Sequence, residues 1–145
     1  MRFEFLSDEN DIKKVINLIK DTFNISNIPN IELLKNPRFV ILKKEDDVIG
    51  TSMLTIKYDP IKNIKTLYID YVCVDKKYQH MGYGKEMFLN IEKIAKEEGI
   101  DYLELTSNKK RVYAREMYLK LGMEIKDTDI FIKKISWGIN EKVFE

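Results

Sequence analysis

The sequence predicts an α/β fold of the α+β kind: a single domain with a mixed, mostly antiparallel sheet of about seven strands and helices on both faces. Apolar residues alternate with period two in several short segments and recur at helical spacing in others. These segments follow one another in the order β-α-(α)-β-β-β-α-β-α-β-β, which favours a sheet covered by helices. With 145 residues the chain is long enough for one hydrophobic core, so residues 1–145 are predicted to form one domain.

The first half of the chain contains one strong helix signal among strand signals. Ser7 and Asp8 are residue types that favour a helix N-cap, and apolar side chains then recur on one stripe as far as Phe23. An acidic turn at 45–47 joins two alternating segments as a hairpin. The predicted elements are a strand at 2–6, a helix after Asp8 that ends at Phe23, a short helix at 31–35, and strands at 38–43 and 48–58.

The second half alternates strands with helices and ends in a hairpin. Met87, Phe88 and Ile91 lie on one face of an amphipathic helix whose other face carries Lys and Glu. Gly99 and Gly122 are the expected stop signals of two helices. The predicted elements are a central strand at 66–74, a helix at 85–98, a strand at 102–106, a helix at 112–121, and a closing hairpin of strands at 123–126 and 130–135.

The composition excludes several classes of function. The 25 basic and 24 acidic residues nearly cancel, so no global field favours nucleic acid or an anionic membrane. A single cysteine excludes an internal disulfide, and a single histidine disfavours a metal site. No apolar run approaches the ~20 residues of a membrane helix, and no signal peptide is visible. The expectation is a cytoplasmic protein without metal, nucleic-acid or membrane partners.

A glycine loop follows the central strand and opens the next helix. A strand, a glycine loop and a helix N-terminus in this order make an anion site, because the free N–H groups of the first helical turn and the helix dipole favour negative charge. Gly82 and Gly84 carry no Cβ atom, so the backbone can approach a phosphate closely. The loop consists of Gln79, His80, Met81, Gly82, Tyr83, Gly84 and Lys85.

The spacing within this loop tests two common phosphate motifs. A P-loop needs a glycine five residues before the Gly-Lys pair and a Ser or Thr after the lysine, where this chain has Gln79 and Glu86. A dinucleotide fingerprint needs a third glycine at the position of Met87. The P-loop is therefore excluded, and the match to the dinucleotide fingerprint is weak.

The remaining sequence, Gln-x-x-Gly-x-Gly after a strand, resembles the pyrophosphate-binding motif of the GCN5-related N-acetyltransferases (GNATs). A second segment, residues 114–123, resembles the late helix of that family, with Met117 and Met123 in place of the usual Phe residues. Asn108 stands just before this helix, where many members also carry Asn. The two motifs occur in the order of the family, and the resemblance is strongest from residue 67 to residue 135.

The resemblance implies the GNAT fold and an N-acetyltransferase activity that uses acetyl-CoA as co-substrate and no metal. In that fold the strand before the glycine loop and the next strand splay apart, and the cofactor lies in the gap. Backbone groups of the strand end would bind the pantetheine arm and the thioester carbonyl, although the same residues suit an ordinary buried strand. The implied cofactor-binding residues are Val72, Cys73, Val74, Gln79, His80, Met81, Gly82, Tyr83, Gly84, Lys85, Asn108 and Tyr118.

Two residues are predicted to be catalytic. Tyr118 lies on an apolar helix stripe, which by itself favours a core tyrosine, but it matches the family's tyrosine that protonates the leaving thiolate. Asp70 interrupts an apolar strand, where a carboxylate is costly to bury unless it is paired or functional. In polyamine-type relatives a carboxylate at the matching position draws the proton from the amine. Asp70 is therefore the predicted base, with an ion-paired structural aspartate as the open alternative.

The neighbours of Asp70 follow from strand alternation. Tyr68, Val72 and Val74 are expected on the same face of the sheet as Asp70, and Cys73 on the opposite face. Tyr68 is the reserve base. Cys73 would allow an acyl-cysteine mechanism, but its predicted face and the lack of a histidine nearby in sequence favour an inert buried thiol.

The acceptor is less well defined than the cofactor. The expected reaction is direct attack of a primary amine, preferably of a small molecule, in a ternary complex; a protein or peptide amine and a non-catalytic acyl-CoA-binding module are the alternatives.

A basic cluster near the last helix would suit the ribose phosphate of the cofactor, an acidic group of the substrate, or solvent. The apolar tail at 136–145 and the closing hairpin indicate packing on the body or a homodimer. The basic cluster is Lys109, Lys110, Arg111 and Arg115, and the apolar tail residues are Trp137, Ile139, Val143 and Phe144.

Overall fold

The computed structural model describes residues 1–30 and 37–136. Within these ranges the chain forms five strands, three α-helices and a short 3₁₀ helix. None of the described helices is both long enough and apolar enough to cross a membrane. The elements in chain order are β1 (Arg2–Phe5), α1 (Glu9–Phe23), β2 (Arg38–Lys44), β3 (Asp47–Asp59), β4 (Ile64–Val74), the 3₁₀ helix (Lys76–Tyr78), α2 (Tyr83–Glu97), β5 (Tyr102–Glu104) and α3 (Val112–Lys120).

The five strands form one sheet in the order β1-β2-β3-β4-β5. Neighbouring strands are antiparallel except β4 and β5, which are parallel. The connection between these two contains α2, as a parallel pair requires a crossover. The predicted mixed, mostly antiparallel sheet is confirmed, with five strands in the described part of the chain instead of about seven.

Local signals set the ends of the helices as predicted. Asp8 caps α1, because its carboxylate accepts a hydrogen bond from the backbone N–H of Asn10 at 2.9 Å. Gly99 and Gly122, both with positive φ, follow the ends of α2 and α3. Each of these signals involves residues close together in sequence, so the helix ends could be predicted without the tertiary structure.

The sheet has an apolar core on each face, so helices on both faces are confirmed. On the first, the α1 face, Val15 of α1 packs with Phe39 and Ile41 of β2. On the other, the α2 face, the apolar stripe of α2 packs on alternate residues of β2, β3 and β4. The buried residues of the α2 face are Val40, Leu54, Leu67, Ile69, Met87, Phe88, Ile91 and Ala95.

The predicted closing hairpin is wrong for the described residues. No strand forms between residues 123 and 135, although the chain turns where expected, with Thr128 N donating to Lys126 O at 3.0 Å. Phe131 is 93% exposed. Alternating apolar residues give this segment strand propensity, but a strand also needs a neighbouring edge in register, and β5 ends at Glu104. The short helix predicted at 31–35 and the apolar tail residues lie outside the described residues.

A buried ion pair joins α1 to β2. Lys43 Nζ donates to Asp11 Oδ2 at 2.9 Å, and the two side chains are 9% and 4% exposed. The hydrogen bond to Asp11 raises the pKa of the Lys43 ammonium above its ordinary value. Sequence reasoning did not single out either residue, because a charged position beside a helix stripe does not reveal its partner.

Replacing Asp11 by Ala is expected to lower the urea midpoint of unfolding strongly, because the variant leaves the Lys43 charge buried without its partner. The double variant Asp11→Leu/Lys43→Met should recover most of the loss, since it removes both charges and keeps apolar volume. Because the pKa of Lys43 is raised by folding, the pair stabilises fully below the ordinary lysine pKa, and this contribution is lost as pH rises through the folded value.

The matched control for this prediction is the more exposed pair of Arg38 with Glu98, whose Nη1 and Oε1 atoms are 2.7 Å apart. Its side chains are 37% and 35% exposed, so Glu98→Gln should cost about 1 kcal/mol or less. Equal losses of stability in Asp11→Ala and Glu98→Gln would contradict the assignment of a strongly stabilising buried pair.

Candidate active site

β4 contains a bulge where it passes β3. The pairs between the two strands change from Thr51↔Cys73 to Met53↔Asp70, so β4 contains one more residue than β3 over this stretch. Tyr71 lies in the stretch and has a φ of 51°, in the left-handed region that few non-glycine residues adopt. A bulge leaves a residue out of the ladder and bends the strand.

The bulge puts Asp70 and Cys73 on the same face of the sheet. Asp70 lies opposite Met53, which packs against the core of the α1 face. Cys73 lies opposite Thr51, which in turn lies opposite Ile41 of that same core. The prediction that Cys73 lies on the opposite face from Asp70 is therefore wrong, because the added residue reverses the alternation along β4.

The same reversal separates Asp70 from Val72 and Val74, which were also predicted to share its face. Val72 packs against the core of the α2 face. Val74 lies opposite Gly50, whose α-carbon is turned toward Met87 of that core. Tyr68, which precedes the bulge, does share the face of Asp70 as predicted, since the two are two positions apart in regular strand.

β4 and β5 diverge beside the bulge. Their ladder in the described residues runs from Thr66↔Tyr102 to Tyr68↔Glu104, whereas β4 continues to Val74. Residues 69–74 therefore have no β5 residue opposite them. Backbone N–H and C=O groups along such an edge need partners from water or a ligand. The splayed strands that the resemblance implied are thus present, and the bulge lies along the gap.

The glycine loop leads into an uncapped helix N-terminus. Gly82 is the N-cap residue of α2, with a φ of 87°, and its cap position makes no side-chain hydrogen bond to the first turn. A Cβ atom at Gly82 would meet no heavy atom within 4 Å, so this part of the loop faces open space. The N–H groups of the first turn are consequently available to an anion.

The other loop residues build the loop and brace it against α3. Gln79 Nε2 donates to the carbonyl oxygen of Val74 at 2.9 Å, which fixes the loop to the end of β4. The ring of His80 meets the ring of Tyr113 edge to face, with centroids 4.8 Å apart. At Gly84 a Cβ would approach Met117 Sδ to 3.4 Å, so this glycine serves the close packing of α2 on α3.

Asn108 forms the turn that precedes α3. Its Oδ1 accepts from the backbone N–H of Lys110 at 2.9 Å, and its carbonyl oxygen accepts from the N–H of Arg111 at 2.9 Å. The side-chain oxygen is therefore used in a turn, and the amide nitrogen is the group of Asn108 that remains for a ligand.

Tyr118 lies on α3 against the core of the α2 face, and its ring is 6.0 Å from the ring of Phe88. Burial raises the pKa of the Tyr118 phenol above its ordinary value, and the nearby Arg111 charge lowers it in part. The phenol is therefore protonated at neutral pH. Its hydroxyl makes no hydrogen bond to another described residue, so its proton is available to a bound molecule.

Asp70 is a half-buried carboxylate without a hydrogen-bond or ion-pair partner among the described residues. Burial alone raises the pKa of the Asp70 carboxyl above its ordinary value. This observation argues against the ion-paired structural aspartate left open by the sequence. For Tyr68, burial and then the neighbouring Glu104 raise the pKa of the phenol, which makes Tyr68 a poorer base near neutral pH.

Cys73 is a buried free thiol. Its side chain is 4% exposed, and burial raises the pKa of the thiol to about 12, against smaller opposing effects of Thr22 and Arg111. The thiolate is therefore scarce at neutral pH. The expected inert thiol is supported, but by burial and not by the predicted face.

The structure also brings together three residues that were not recognised as a group. The guanidinium carbon of Arg111 is 4.3 Å from the centroid of the Phe23 ring, and that ring meets Tyr71 edge to face at 5.4 Å. They come from the start of α3, the end of α1 and the bulge of β4. The basic cluster before α3 was the only sequence signal, and it did not indicate which member meets α1.

In the described ranges, no group of three or more His, Cys, Asp or Glu side chains is arranged to hold a metal ion. Asp70 and Tyr118 are two titratable side chains without a hydrogen-bond partner among the described residues, and burial raises the pKa of each.

Comparison with known proteins gives a match to a protein family. A sequence model described as "Acetyltransferase (GNAT) family" matches residues 5–123. A search of curated protein sequences gives no match.

Solved structures with a similar fold come from several acetyltransferases. An aminoglycoside acetyltransferase from an uncultured soil metagenomic sample, in complex with sisomicin, has 19% identity and a TM-score of 0.81, with 93% of this chain and 95% of that chain covered. The ribosomal-protein-alanine N-acetyltransferase from Brucella melitensis biovar Abortus 2308 has 13% identity and a TM-score of 0.78, with 93% and 100% covered. A possible acetyltransferase from Clostridium difficile 630 has 21% identity and a TM-score of 0.74, with 94% and 99% covered.

Proposed function

This chain belongs to the GNAT acetyltransferase family, whose members use acetyl-CoA as co-substrate, and we propose that it acetylates the primary amine of a small molecule by direct attack in a ternary complex. The observation that carries the proposal is the combination of the β4–β5 gap, the bulge at Tyr71 and the uncapped N-terminus at Gly82. Together they offer unpaired backbone groups beside a gap and N–H donors at its end. These groups suit the extended pantetheine arm and the diphosphate of coenzyme A.

The residues fit the cofactor in specific ways. Of the three strand residues implied to bind the pantetheine arm, Val74 already uses its carbonyl oxygen for Gln79, and Cys73 lies opposite Thr51 with its backbone groups toward β3. Val72 is therefore the stronger candidate for a carbonyl contact, and Cys73 remains a proposed contact. Gly82 offers open space for a diphosphate, whereas Gly84 is assigned to packing on α3. We assign Gln79 and His80 to holding the loop in place. Met81, Tyr83 and Lys85 remain proposed contacts of the cofactor.

Asp70 and Tyr118 divide the proton transfers. Asp70 takes a proton from the acceptor ammonium, directly or through water, and the neutral amine then attacks the thioester carbon. The carbon–sulfur bond breaks, and the Tyr118 hydroxyl gives its proton to the departing thiolate. The proton lost by the new amide nitrogen restores the phenol, and the proton on Asp70 passes to solvent. The products are an amide, a thiol and one released proton.

The test is an acetylation assay with matched acceptor panels. The purified protein is given acetyl-CoA with small primary amines in one arm and peptides in the other, and both thiol release and acetylated product are measured. Acetylation of small amines is expected. Acetylation of peptides alone would favour a protein acetyltransferase, and cofactor binding with only slow thioester hydrolysis would favour a binding module.

Gly82→Ala is expected to weaken binding of coenzyme A about 10- to 100-fold, because the added methyl group projects into the space assigned to the diphosphate. If the free loop relaxes away from the φ of 87°, binding must also restore that conformation at a cost of about 1–3 kcal/mol. The matched control is Gly99→Ala, at the other end of α2. Gly99 also has a positive φ, of 68°, and open space at its Cβ position. Calorimetry with coenzyme A should separate the two variants, and equal affinities would remove Gly82 from the binding site.

A further inference from the structure

We propose that Arg111 binds a carboxylate on the acceptor, so that the preferred substrates are amines that also carry an acidic group. This inference rests on the proposed function and narrows its substrate class. The sequence left three uses open for the basic cluster: binding the ribose phosphate of the cofactor, binding an acidic group of the substrate, or facing solvent. We assign Arg111 to the second.

The position of Arg111 is set by contacts from both sides. Its backbone N–H donates to Asn108 O at 2.9 Å, and its carbonyl oxygen accepts from Arg115 N at 3.1 Å, which fixes the residue at the start of α3. Its guanidinium lies over the ring of Phe23 at the end of α1. The side chain therefore spans from α3 to α1 across the bulge of β4, where Tyr71 contacts Phe23.

This position is close to the proposed chemistry. Burial raises the pKa of both the Cys73 thiol of β4 and the Tyr118 phenol of α3, and the Arg111 charge opposes part of the rise in each. The position itself follows from the contacts: the Phe23 ring under Arg111 meets the ring of Tyr71 at 5.4 Å, and Tyr71 directly follows Asp70 in β4. Cys73 shares its face of the sheet with Asp70, the proposed base for the acceptor amine. Arg111 therefore lies on the acceptor side of the gap.

The guanidinium N–H donors of Arg111 have no partner among the described residues. In the described part of the chain its guanidinium makes no ion pair and no hydrogen bond, and the ring of Phe23 covers only a face of the group. Arg38 is a comparable arginine whose partner is present in this chain. Its guanidinium carbon lies 5.1 Å from the centroid of the Phe5 ring. Its Nη1 and Nη2 atoms donate to the two carboxylate oxygens of Glu98, at 2.7 Å each. The planar fork of arginine matches a carboxylate in this bidentate way.

Arg111 reaches the bulge of β4 through its contact with Phe23, which meets Tyr71, and Asp70 precedes Tyr71 in that strand. The two opposite charges do not pair with each other in the described part of the chain. Asp70 favours a cationic amine, and Arg111 favours an anion. A molecule that carries both an ammonium and a carboxylate complements the two, whereas a polycation without an acidic group would meet the repulsion of Arg111. The residues therefore favour amino-acid-like acceptors over plain amines.

The experiment compares acceptors that differ by one carboxylate, namely L-lysine with cadaverine and L-phenylalanine with phenethylamine. The wild-type enzyme is expected to prefer the carboxylated member of at least one pair by about tenfold or more in kcat/KM. In Arg111→Gln the KM of that acceptor should rise about 10- to 100-fold and the preference should disappear. The kcat/KM for cadaverine should rise, because the repulsion of Arg111 is removed, and the affinity for coenzyme A should stay near wild type. Arg111→Lys, which keeps the charge but not the fork, should restore part of the preference.

Arg115→Gln, one turn further along α3, is the matched control and should keep the preference. Affinity for coenzyme A reports that each variant is folded, and calorimetric binding of the carboxylated amine to the coenzyme A complex gives a readout that needs no turnover. If the wild type acetylates the plain amine of each pair as well as the carboxylated one, the role of Arg111 is overturned while the proposed function stands. If it acetylates no amine at all, the proposed function itself is overturned, and the role of Arg111 with it.

Discussion

Replacing Asp70 by Asn is expected to lower kcat about 10²- to 10⁴-fold, the range that a positioned general base contributes. The variant removes the carboxylate that takes the proton from the acceptor ammonium and keeps the shape of the side chain. Since burial raises the pKa of Asp70, the wild-type kcat/KM should rise with pH as this carboxyl ionises. The Asn variant should lack that rise and recover activity only as pH approaches the pKa of the acceptor amine itself.

Stability provides the check that the loss is catalytic. The folded protein disfavours ionised Asp70, because burial raises its pKa, so wild-type stability falls as pH rises from the unfolded pKa through the folded one. Above that window Asp70→Asn should be as stable as wild type or more stable. Asp127→Asn, at an exposed position, is the matched control for both measurements. A wild-type rate and pH profile in Asp70→Asn would make the carboxylate dispensable.

Tyr118→Phe is expected to lower kcat by a similar factor, about 10²- to 10⁴-fold, with little change in affinity for coenzyme A. The phenyl ring can keep the contact with Phe88, and the lost hydroxyl has no hydrogen-bond partner among the described residues. The variant should therefore fold normally and bind the cofactor. What it lacks is the proton for the departing thiolate.

The leaving group distinguishes this role from a structural one. When the thioester is made from a more acidic thiol, its thiolate can leave without being protonated. The difference in kcat between wild type and Tyr118→Phe should therefore shrink as the thiol becomes more acidic. Tyr102→Phe, on β5 with its side chain 62% exposed, is the matched control and should behave as wild type with every thioester. A defect in Tyr118→Phe that is constant across the thioesters would place the role of the hydroxyl elsewhere than in leaving-group protonation.

The fold was largely predictable because most of its signals are local. The cap at Asp8, the apolar stripes of α1 and α2 and the stops at Gly99 and Gly122 depend on residues close in sequence, and all have the predicted structure. The closing hairpin failed for the opposite reason. Residues 123–135 have strand-like alternation, but pairing depends on an edge that β5 provides for only three residues.

The candidate site was predictable in its parts but not in their arrangement. Asp70, Tyr118 and the glycine loop were found from residue type and motif. The bulge was not, because Tyr71 has no feature that predicts a positive φ, and one extra residue changes the face of every strand residue after it. The expected face of Cys73 was therefore wrong although its inert character was anticipated.

The sequence by itself determined the order of the elements from β1 to α3, the glycine loop after the central strand and the family, because caps, periodicity and motif spacing act between near neighbours. Only the tertiary structure decided that Asp70 and Cys73 share a face, that Gly84 packs on Met117 and that Arg111 meets Phe23. These contacts join segments far apart in the chain. They depend on the register of the strands and on the choice of helix ends that lie next to each other. No local signal encodes either.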